Sequence, residues 1–268
     1  MIDSETVNKN PYFTLTEGGE TSTSVSNPPP IIGENPSEVT GLTSIIILTN
    51  NINYSLFHYT GNCIGSVKEH TNLPYEIILV DNGSTVKPGK LEDYNVDKVI
   101  VNEKNEGIAK AWNQAIRMSS GEYICLLNND AMVFDMWLED LQEALGKVDL
   151  VMATPMYGEP FSRGHEALQK RAQWADKPIE ESFSDFRDFS CVLAKKQLFR
   201  DIGMFDEQFF MYCEDLDLIK RMEEAGKKSA CTKKVSTYHV IGGTSTGNPE
   251  TPKLMNESRE KFKAKWGV

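Results

Sequence analysis

The sequence has little cysteine, no excess of basic charge and no long apolar run, and each shortage excludes something. Its five cysteines, Cys63, Cys125, Cys191, Cys213 and Cys231, are odd in number and widely spaced. That excludes a disulfide scaffold and a zinc module, and the expectation is reduced thiols in a cytoplasmic protein. Lysine and arginine number 28 against 39 acidic residues, a formal net charge of -11. A nucleic-acid partner would need a basic surface to displace counterions, so no nucleic acid is expected. No stretch approaches the roughly 18 apolar residues of a membrane span. Residues 1–30 lack the apolar segment of a secretory leader. The expected location is cytoplasmic, with peripheral contact at the cytoplasmic membrane face open to a local basic patch. No internal repeat is visible. The remainder, 40% apolar and 25% charged, is the composition of a globular domain.

Residues 1–42 stand apart. Gly18 to Pro36 is built of Gly, Ser, Thr, Asn, Glu and Pro, including Pro28-Pro29-Pro30. Such a stretch cannot bury enough apolar area to offset its ordering entropy, so a flexible N-terminal tail is expected. From residue 43 on, short apolar runs alternate with helical patterns. Ser44-Ile45-Ile46-Ile47-Leu48-Thr49, Glu76 to Val80, Lys98 to Val101, Tyr123 to Leu127 and Leu150 to Ala153 read as strands buried on both faces. Between them, helical spacing links Leu56, Cys63, Ile64 and Val67, then Ile108, Ala111, Trp112, Ala115 and Ile116, then Trp137, Leu138, Leu141 and Leu145. This alternation predicts a doubly wound, mostly parallel α/β sheet in one domain. The second half is less regular. Residues 156–187 are polar with a helix near 164–175, and a short strand is expected from Ser190 to Leu193. A helix is expected from Glu214 to Ala225, a strand from Val235 to Val240, and a basic helix at the C-terminus.

Polar residues gather where the strands end: Thr49-Asn50-Asn51, Asp81-Asn82-Gly83-Ser84-Thr85 and Asn128-Asn129-Asp130. Any one of these is a plain turn. In an open α/β sheet, however, ligands bind at the carboxyl ends of the strands, so three together point to one crevice.

The sequence resembles glycosyltransferase family 2, with the GT-A fold. The resemblance is carried by Ser44 to Thr49, Val80 to Thr85, Asn105-Glu106-Gly107-Ile108-Ala109 through Asn113, and Leu126 to Asp130. It continues in Gly203-Met204-Phe205-Asp206-Glu207, in Tyr212-Cys213-Glu214-Asp215-Leu216-Asp217-Leu218, in His239 with Gly242-Gly243-Thr244-Ser245, and in Lys265-Trp266-Gly267. It covers about residues 44–268, and the paired Asn before Asp130 is similar to rhamnosyltransferase-like members. It implies a metal-dependent, inverting enzyme of polysaccharide biosynthesis. The donor would be a nucleotide-sugar, a UDP- or dTDP-sugar, and the acceptor a hydroxyl of a glycan or lipid-linked glycan. Residues 43–155 would form the nucleotide-sugar-binding half, and 156–268 the acceptor-binding and catalytic half.

The leaving diphosphate carries negative charge, which a divalent Mn2+ or Mg2+ offsets as a Lewis acid, and such cations take oxygen ligands. By resemblance Asp130 and His239 hold the metal. Asn128 stands where the family usually has Asp, one negative charge fewer. Thr49, Asn51, Asp81, Asn105, Gly107, Asn113, Asn128 and Asn129 would line the donor pocket, with Asp81 reading the nucleobase. The backbone amides of Gly242-Gly243 could cradle phosphate. Asp215 is the implied base, with Glu214 positioning it or binding the acceptor; the start of a helix there should keep a carboxylate ionised. Asp217 faces elsewhere on that helix. Ser190 and Cys191 replace a usual Gly, and nothing nearby would activate Cys191 as a nucleophile. Residues 156–187 are expected to form an acceptor lid offering Tyr157, Phe161 or Trp174.

Two rival classes remain open. A sugar-phosphate nucleotidyltransferase shares the sheet, but Asn50-Asn51-Ile52-Asn53-Tyr54 lacks the Gly-rich basic loop such enzymes carry after the first strand. A non-catalytic sugar-nucleotide-binding module is suggested by Asn128 and opposed by the presence of Glu214, Asp215 and His239. The C-terminal Lys253, Arg259, Lys261, Lys263 and Lys265 suit a solvated helix face, with a lid over the diphosphate or a contact to anionic lipid as alternatives.

Overall fold

The computed structural model describes residues 38–52, 54–86, 94–157, 163–240 and 249–268. Gly242 to Ser245, Phe161 and the side chain of Leu56 therefore lie outside the described residues. The parallel half of the sheet follows the sequence pattern. Strand β1 is Val39–Thr49, β2 Tyr75–Asn82, β3 Lys98–Asn102 and β4 Gly121–Asn128. They pair side by side in the order β3-β2-β1-β4, all parallel. Within β1, Ile45 and Ile47 enter one core and Ile46 the other, and all three are fully buried. Each such side chain contributes roughly 1.5–3 kcal/mol of burial. Helices α1 (Tyr54–His70) and α3 (Trp137–Leu145) cover the Ile45 face, and α2 (Ile108–Met118) covers the Ile46 face.

β1 begins inside the segment expected to be tail. Its early start has local causes: Val39 N donates to Ser120 O at 2.8 Å, Gly41 N donates to Glu122 Oε2 at 3.0 Å, and Glu38 pairs with Arg200. These contacts hold residues 38–42 against the start of β4 although they contribute little apolar surface.

The other half is mixed. Strand β5 is Ala131–Met132, β6 Leu150–Met156, β7 Phe183–Ser184, β8 Cys191–Lys195 and β9 Ser229–His239. The sheet continues β4-β8-β6-β9-β5, with β8 antiparallel to both β4 and β6. So β6, which the alternation would set beside β4, is displaced by one strand. Helix α4 (Arg163–Ala172) lies in the expected lid region but is docked, not free: Arg171 Nε donates to the buried Asp140 of α3 at 2.5 Å. Helix α5 is Lys196–Ile202, α6 Glu214–Glu224 and α7 Thr251–Trp266. Among the described residues no helix is long and apolar enough to cross a membrane.

Candidate active site

The three polar strand ends meet as the switch-point rule requires. Thr49 Oγ1 donates to Asn51 Oδ1 at 2.9 Å and stands 2.9 Å from the Thr60 hydroxyl of α1. Asn129 Nδ2 donates to Thr60 Oγ1 at 3.0 Å. Asn51 N donates to Ser84 Oγ at 2.8 Å, and Ser84 N donates to Asp81 Oδ1 at 2.9 Å. One chain of hydrogen bonds thus joins β1, β2 and β4 at their carboxyl ends. Thr60 is a member that helical periodicity alone did not single out.

Asp130 and His239 come together from β4 and β9. The register sets Ala131 opposite His239, and Val240 N donates to Asp130 O at 3.1 Å. His239 Nε2 lies 3.3 Å from Asp130 Oδ1 and 3.4 Å from Asn128 Nδ2. Burial works against a charged imidazole here. The hydrogen bond and charge of Asp130, with the charge of Asp188, outweigh it and hold His239 above its ordinary value. The pair therefore attracts positive charge. Two neighbouring ligands on one hard cation, each bonded at about 2.1 Å, stand about 3.0 Å apart, close to the separation seen. Asp130 and His239 thus fit a divalent metal, with the Asn128 amide oxygen as a neutral third donor once its amide is turned. Among the described residues there is no cluster of three His, Cys, Asp or Glu side chains that could hold a metal. A cation here would keep positions open for ligand oxygens.

The acidic pair starts α6. Glu214 is buried, and its Oε2 has no hydrogen-bond partner among the described residues. Burial, then the charge of Asp215, push its carboxyl up to about 8. Asp215 is only half-buried and accepts from Leu216 N at 2.8 Å. Its carboxyl is also raised, by burial first; backbone N–H groups pull the other way and Asp188 adds to the rise. For Glu214 this corrects the expectation that the helix start keeps a carboxylate ionised. Amide donors at a helix terminus contribute, but removing both carboxylates from water costs more. A protonated Glu214 beside a more accessible Asp215 leaves Asp215 the group that can take a proton. Asp217 is fully buried and bonds Arg221 Nε at 2.9 Å and Trp266 Nε1 at 3.0 Å, away from the site.

Asp188 was not singled out in the sequence. Its charge bears on Asp215 of α6, on His239 at the end of β9 and on Tyr157 just after β6. Its Oδ1 accepts from Ser190 N at 2.8 Å, and Ser190 O accepts from Asn128 N at 2.8 Å. An aspartate in an irregular polar run has no periodic signal; only the docking of β8 beside β4 brings it in. Tyr157 follows β6, with its ring 6.3 Å from that of His239. Trp174 instead carries Lys177 over its ring at 4.6 Å. Cys191 is buried, and a hydrogen bond with Cys125 and burial raise its thiol far above the ordinary value, so it is no nucleophile.

Three expected donor residues serve the scaffold. Asn105 Oδ1 accepts from Gly107 N at 2.9 Å and from Asn82 Nδ2 at 3.0 Å. Gly107 has φ 87°, and a Cβ there would stand 2.7 Å from Phe210 O, the same carbonyl that Ile108 N reaches at 2.7 Å. Asn113 is fully buried. Its amide donates to Phe205 O and Glu207 Oε1 at 2.9 Å each and accepts from Phe205 N at 3.0 Å. Both amide hydrogens and one acceptor position of its oxygen go to holding Phe205 and Glu207 against α2. That segment leads into Tyr212 and Cys213, both left-handed at φ 68° and 67°. Such residues cost of order 1–3 kcal/mol each and persist where surrounding structure enforces them.

Lys265 of α7, considered above for phosphate or lipid, points inward and pairs with Asp206 and Asp217 at 2.7 Å each. Phe262 is buried against Phe209, with ring centroids 6.4 Å apart. The last turn of the C-terminal helix is thus packed onto the 206–217 stretch, so Lys265 departs from the solvated face expected for these basic residues.

Comparison with known proteins bears on the family and the fold. Residues 44–217 match the family model described as glycosyl transferase family 2. The chain is 32% identical over 101 residues to glycosyltransferase GlyG of Streptococcus pneumoniae, covering 36% of this chain and 34% of that protein. It is 32% identical over 71 residues to the N-acetylglucosaminyl-diphospho-decaprenol L-rhamnosyltransferase of Mycobacterium tuberculosis, covering 26% of this chain and 22% of that one. The matches thus span about a third or less of these relatives' own length. Among solved structures, GalNAc-T7 with UDP, GalNAc and Mn2+ superposes with a TM-score of 0.61 at 16% identity, covering 82% of this chain and 47% of that one.

Proposed function

Since the chain belongs to glycosyl transferase family 2 and has that family's GT-A fold, we propose that it moves a sugar from a nucleotide-sugar donor to a hydroxyl of a glycan or lipid-linked glycan, with inversion. The observation that carries this reading is the Asp130–His239 pair at the carboxyl ends of the strands, with 3.3 Å between Asp130 Oδ1 and His239 Nε2, together with Asp188, whose charge bears on both His239 and Asp215. Residues 43–155 supply the donor half and 156–268 the acceptor and catalytic half. The donor is a UDP- or dTDP-sugar; UDP is favoured because GalNAc-T7, which shares the fold, holds UDP and Mn2+.

Asp130 and His239 hold Mn2+ or Mg2+, with Asn128 as a neutral neighbour. When bound, the cation offsets charge on the leaving diphosphate. Thr49, Asn51, Asp81 and Asn129 shape the nucleoside pocket, with Asp81 Oδ2 accepting from the base. Asn105, Gly107 and Asn113 support that pocket from behind. The acceptor oxygen attacks the anomeric carbon and gives its proton to Asp215. The bond from that carbon to the phosphate oxygen breaks, and its electron pair leaves with the nucleoside diphosphate. Neutral Glu214 spares Asp215 a second adjacent negative charge. Tyr157 and Asp188 lie where an acceptor sugar would stack and bond through its hydroxyls. If the acceptor is lipid-linked, the exposed Lys253, Lys261 and Lys263 of α7 are the groups an anionic membrane surface would meet.

The test separates metal from base. Asp130→Ala and Asp215→Ala should each abolish turnover of a UDP-sugar, yet only Asp130→Ala should weaken Mn2+-dependent UDP binding by calorimetry. Normal turnover by Asp215→Ala would refute the base assignment. UDP binding that ignores Mn2+ would refute the metal assignment.

A further inference from the structure

The polar contacts of α7 converge on one stretch, residues 206–217. Ser258 Oγ donates to Met211 O at 2.7 Å, and Lys261 Nζ donates to Gln208 O at 2.8 Å. Lys265 Nζ reaches Asp206 Oδ2 and Asp217 Oδ1, each at 2.7 Å. Trp266 Nε1 donates to the same Asp217 oxygen at 3.0 Å. Arg221 Nε takes the other Asp217 oxygen at 2.9 Å and holds the carbonyls of Ile202, Gly203 and Met204 through its remaining nitrogens. The stretch so gripped contains the left-handed pair Tyr212 and Cys213, and the next two residues are Glu214 and Asp215. L-residues with side chains hold that conformation only where neighbours enforce it. From the other side, Gly107, Ile108 and Asn113 meet this stretch at Phe205, Glu207 and Phe210. Leu218, Ile219 and Met222 seat α6 on the core, while the first turn of α6 is gripped at Asp217 by Arg221 and by Lys265 and Trp266 of α7.

We propose that Lys265 and Trp266 are positioning residues for the transfer reaction: through buried Asp217 they fix the first turn of α6 and aim the Asp215 carboxylate. This rests on the reading of Asp215 as the base. A plain stabilising helix would lower the melting temperature and leave turnover of the folded fraction intact. A positioning role separates turnover from binding, because the donor pocket is built on β1, β2 and β4 while the aim of Asp215 depends on α6. Misplacing a reacting group by about 1 Å can cost about 100-fold in rate.

The experiment uses the full chain and the double variant Lys265→Met/Trp266→Phe, with Lys265→Arg as the conservative variant. Arg200→Met is the stability control, since it breaks an ion pair to Glu38 at the far end of β1. Hydrolysis of UDP-glucose, UDP-N-acetylglucosamine, UDP-galactose and dTDP-rhamnose with Mn2+ is followed at saturating donor. UDP·Mn2+ affinity is measured by calorimetry, and backbone hydrogen exchange by mass spectrometry. The double variant should lose about 10- to 100-fold in kcat, keep UDP affinity within about twofold, and exchange faster across residues 206–217. Lys265→Arg should restore most of the rate, because the ion pair to Asp206 and Asp217 survives. Arg200→Met should melt earlier with unchanged kcat. Unchanged exchange across 206–217 overturns the proposal, as does a double variant with wild-type kcat or a loss confined to UDP affinity. Asp215→Asn, run in parallel, distinguishes the failures: normal turnover there sinks the base reading, whereas its loss beside a fully active double variant sinks only the positioning role.

Discussion

Replacing Glu214 by glutamine should make the protein's stability less sensitive to alkaline pH. The carboxyl is buried and sits beside Asp215, which carries it from 4.5 to about 8. A raised folded value means that stability is fully present below the unfolded value and is lost as pH rises toward the folded one. Between pH 5 and 7.5 the unfolded chain gives up this proton while the native state keeps it. Each pH unit in that window then removes about 1.4 kcal/mol, so roughly 3 kcal/mol is gone by pH 7.5. In a domain of this size that corresponds to roughly 6–12 °C in melting temperature. Glutamine has no proton to lose, so the variant's melting temperature should fall less steeply across the window than that of wild type, the remaining slope coming from groups such as Asp215 whose carboxyl is also raised. The amide itself adds a fixed cost, because the Glu214 Oε2 position offers no hydrogen-bond partner among the described residues. That cost is independent of pH and shifts the whole curve without tilting it. Melting curves of both proteins at pH 5.5, 6.5, 7.5 and 8.5, at constant ionic strength, read the tilt directly. Parallel curves would mean that Glu214 is ionised in the native state, and the argument from burial would fall.

Gly107→Ala should destabilise by about 1–3 kcal/mol, since its φ is positive and a Cβ would meet Phe210 O at 2.7 Å; thermal melts check this, and an unchanged melting temperature would show that the two loops are not pressed together. Asn113→Leu should cost about 2–4 kcal/mol by stripping partners from Phe205 N and O, with UDP affinity per folded molecule unchanged; a selective loss of UDP binding would return Asn113 to the donor pocket. Asp188→Asn should lower the histidine value of His239 by removing a nearby charge, seen as an earlier loss of the protonated imidazole signal in NMR titration; no change would mean that Asp188 is shielded from the site.

Much of the parallel half was legible because its signals are local. Ile45, Ile46 and Ile47 advertise a strand buried on both faces, and the turn residues after Val80 and Leu127 mark where strands stop. The convergence of Thr49, Asp81 and Asp130 then follows from topology, since parallel strands carry their carboxyl ends to one edge. The second half was less legible because its organisation depends on partners far apart in sequence. Strand β8 reverses direction and separates β4 from β6, and no periodicity announces pairing order. Asn113 belongs with the crevice by its place in the motif, yet its partners lie 92 to 94 residues away and take it elsewhere.

The identity of the acidic pair belongs to the sequence, and its protonation belongs to the fold. Residue type and position at a helix start name Glu214 and Asp215, and the amide donors there argue for ionised carboxylates. Only tertiary packing, which buries Glu214 and brings Asp188 near Asp215, reveals that desolvation and like charge win. The same division holds for the C-terminal helix. Its lysines are plain in the chain as a basic face, but the inward turn of Lys265 is decided by buried Asp217 and Asp206, whose carboxylates would be costly without a cation beside them. Local pattern determines which elements form and where the strands end; what each charged group experiences is a sum over neighbours that only the folded chain brings within reach.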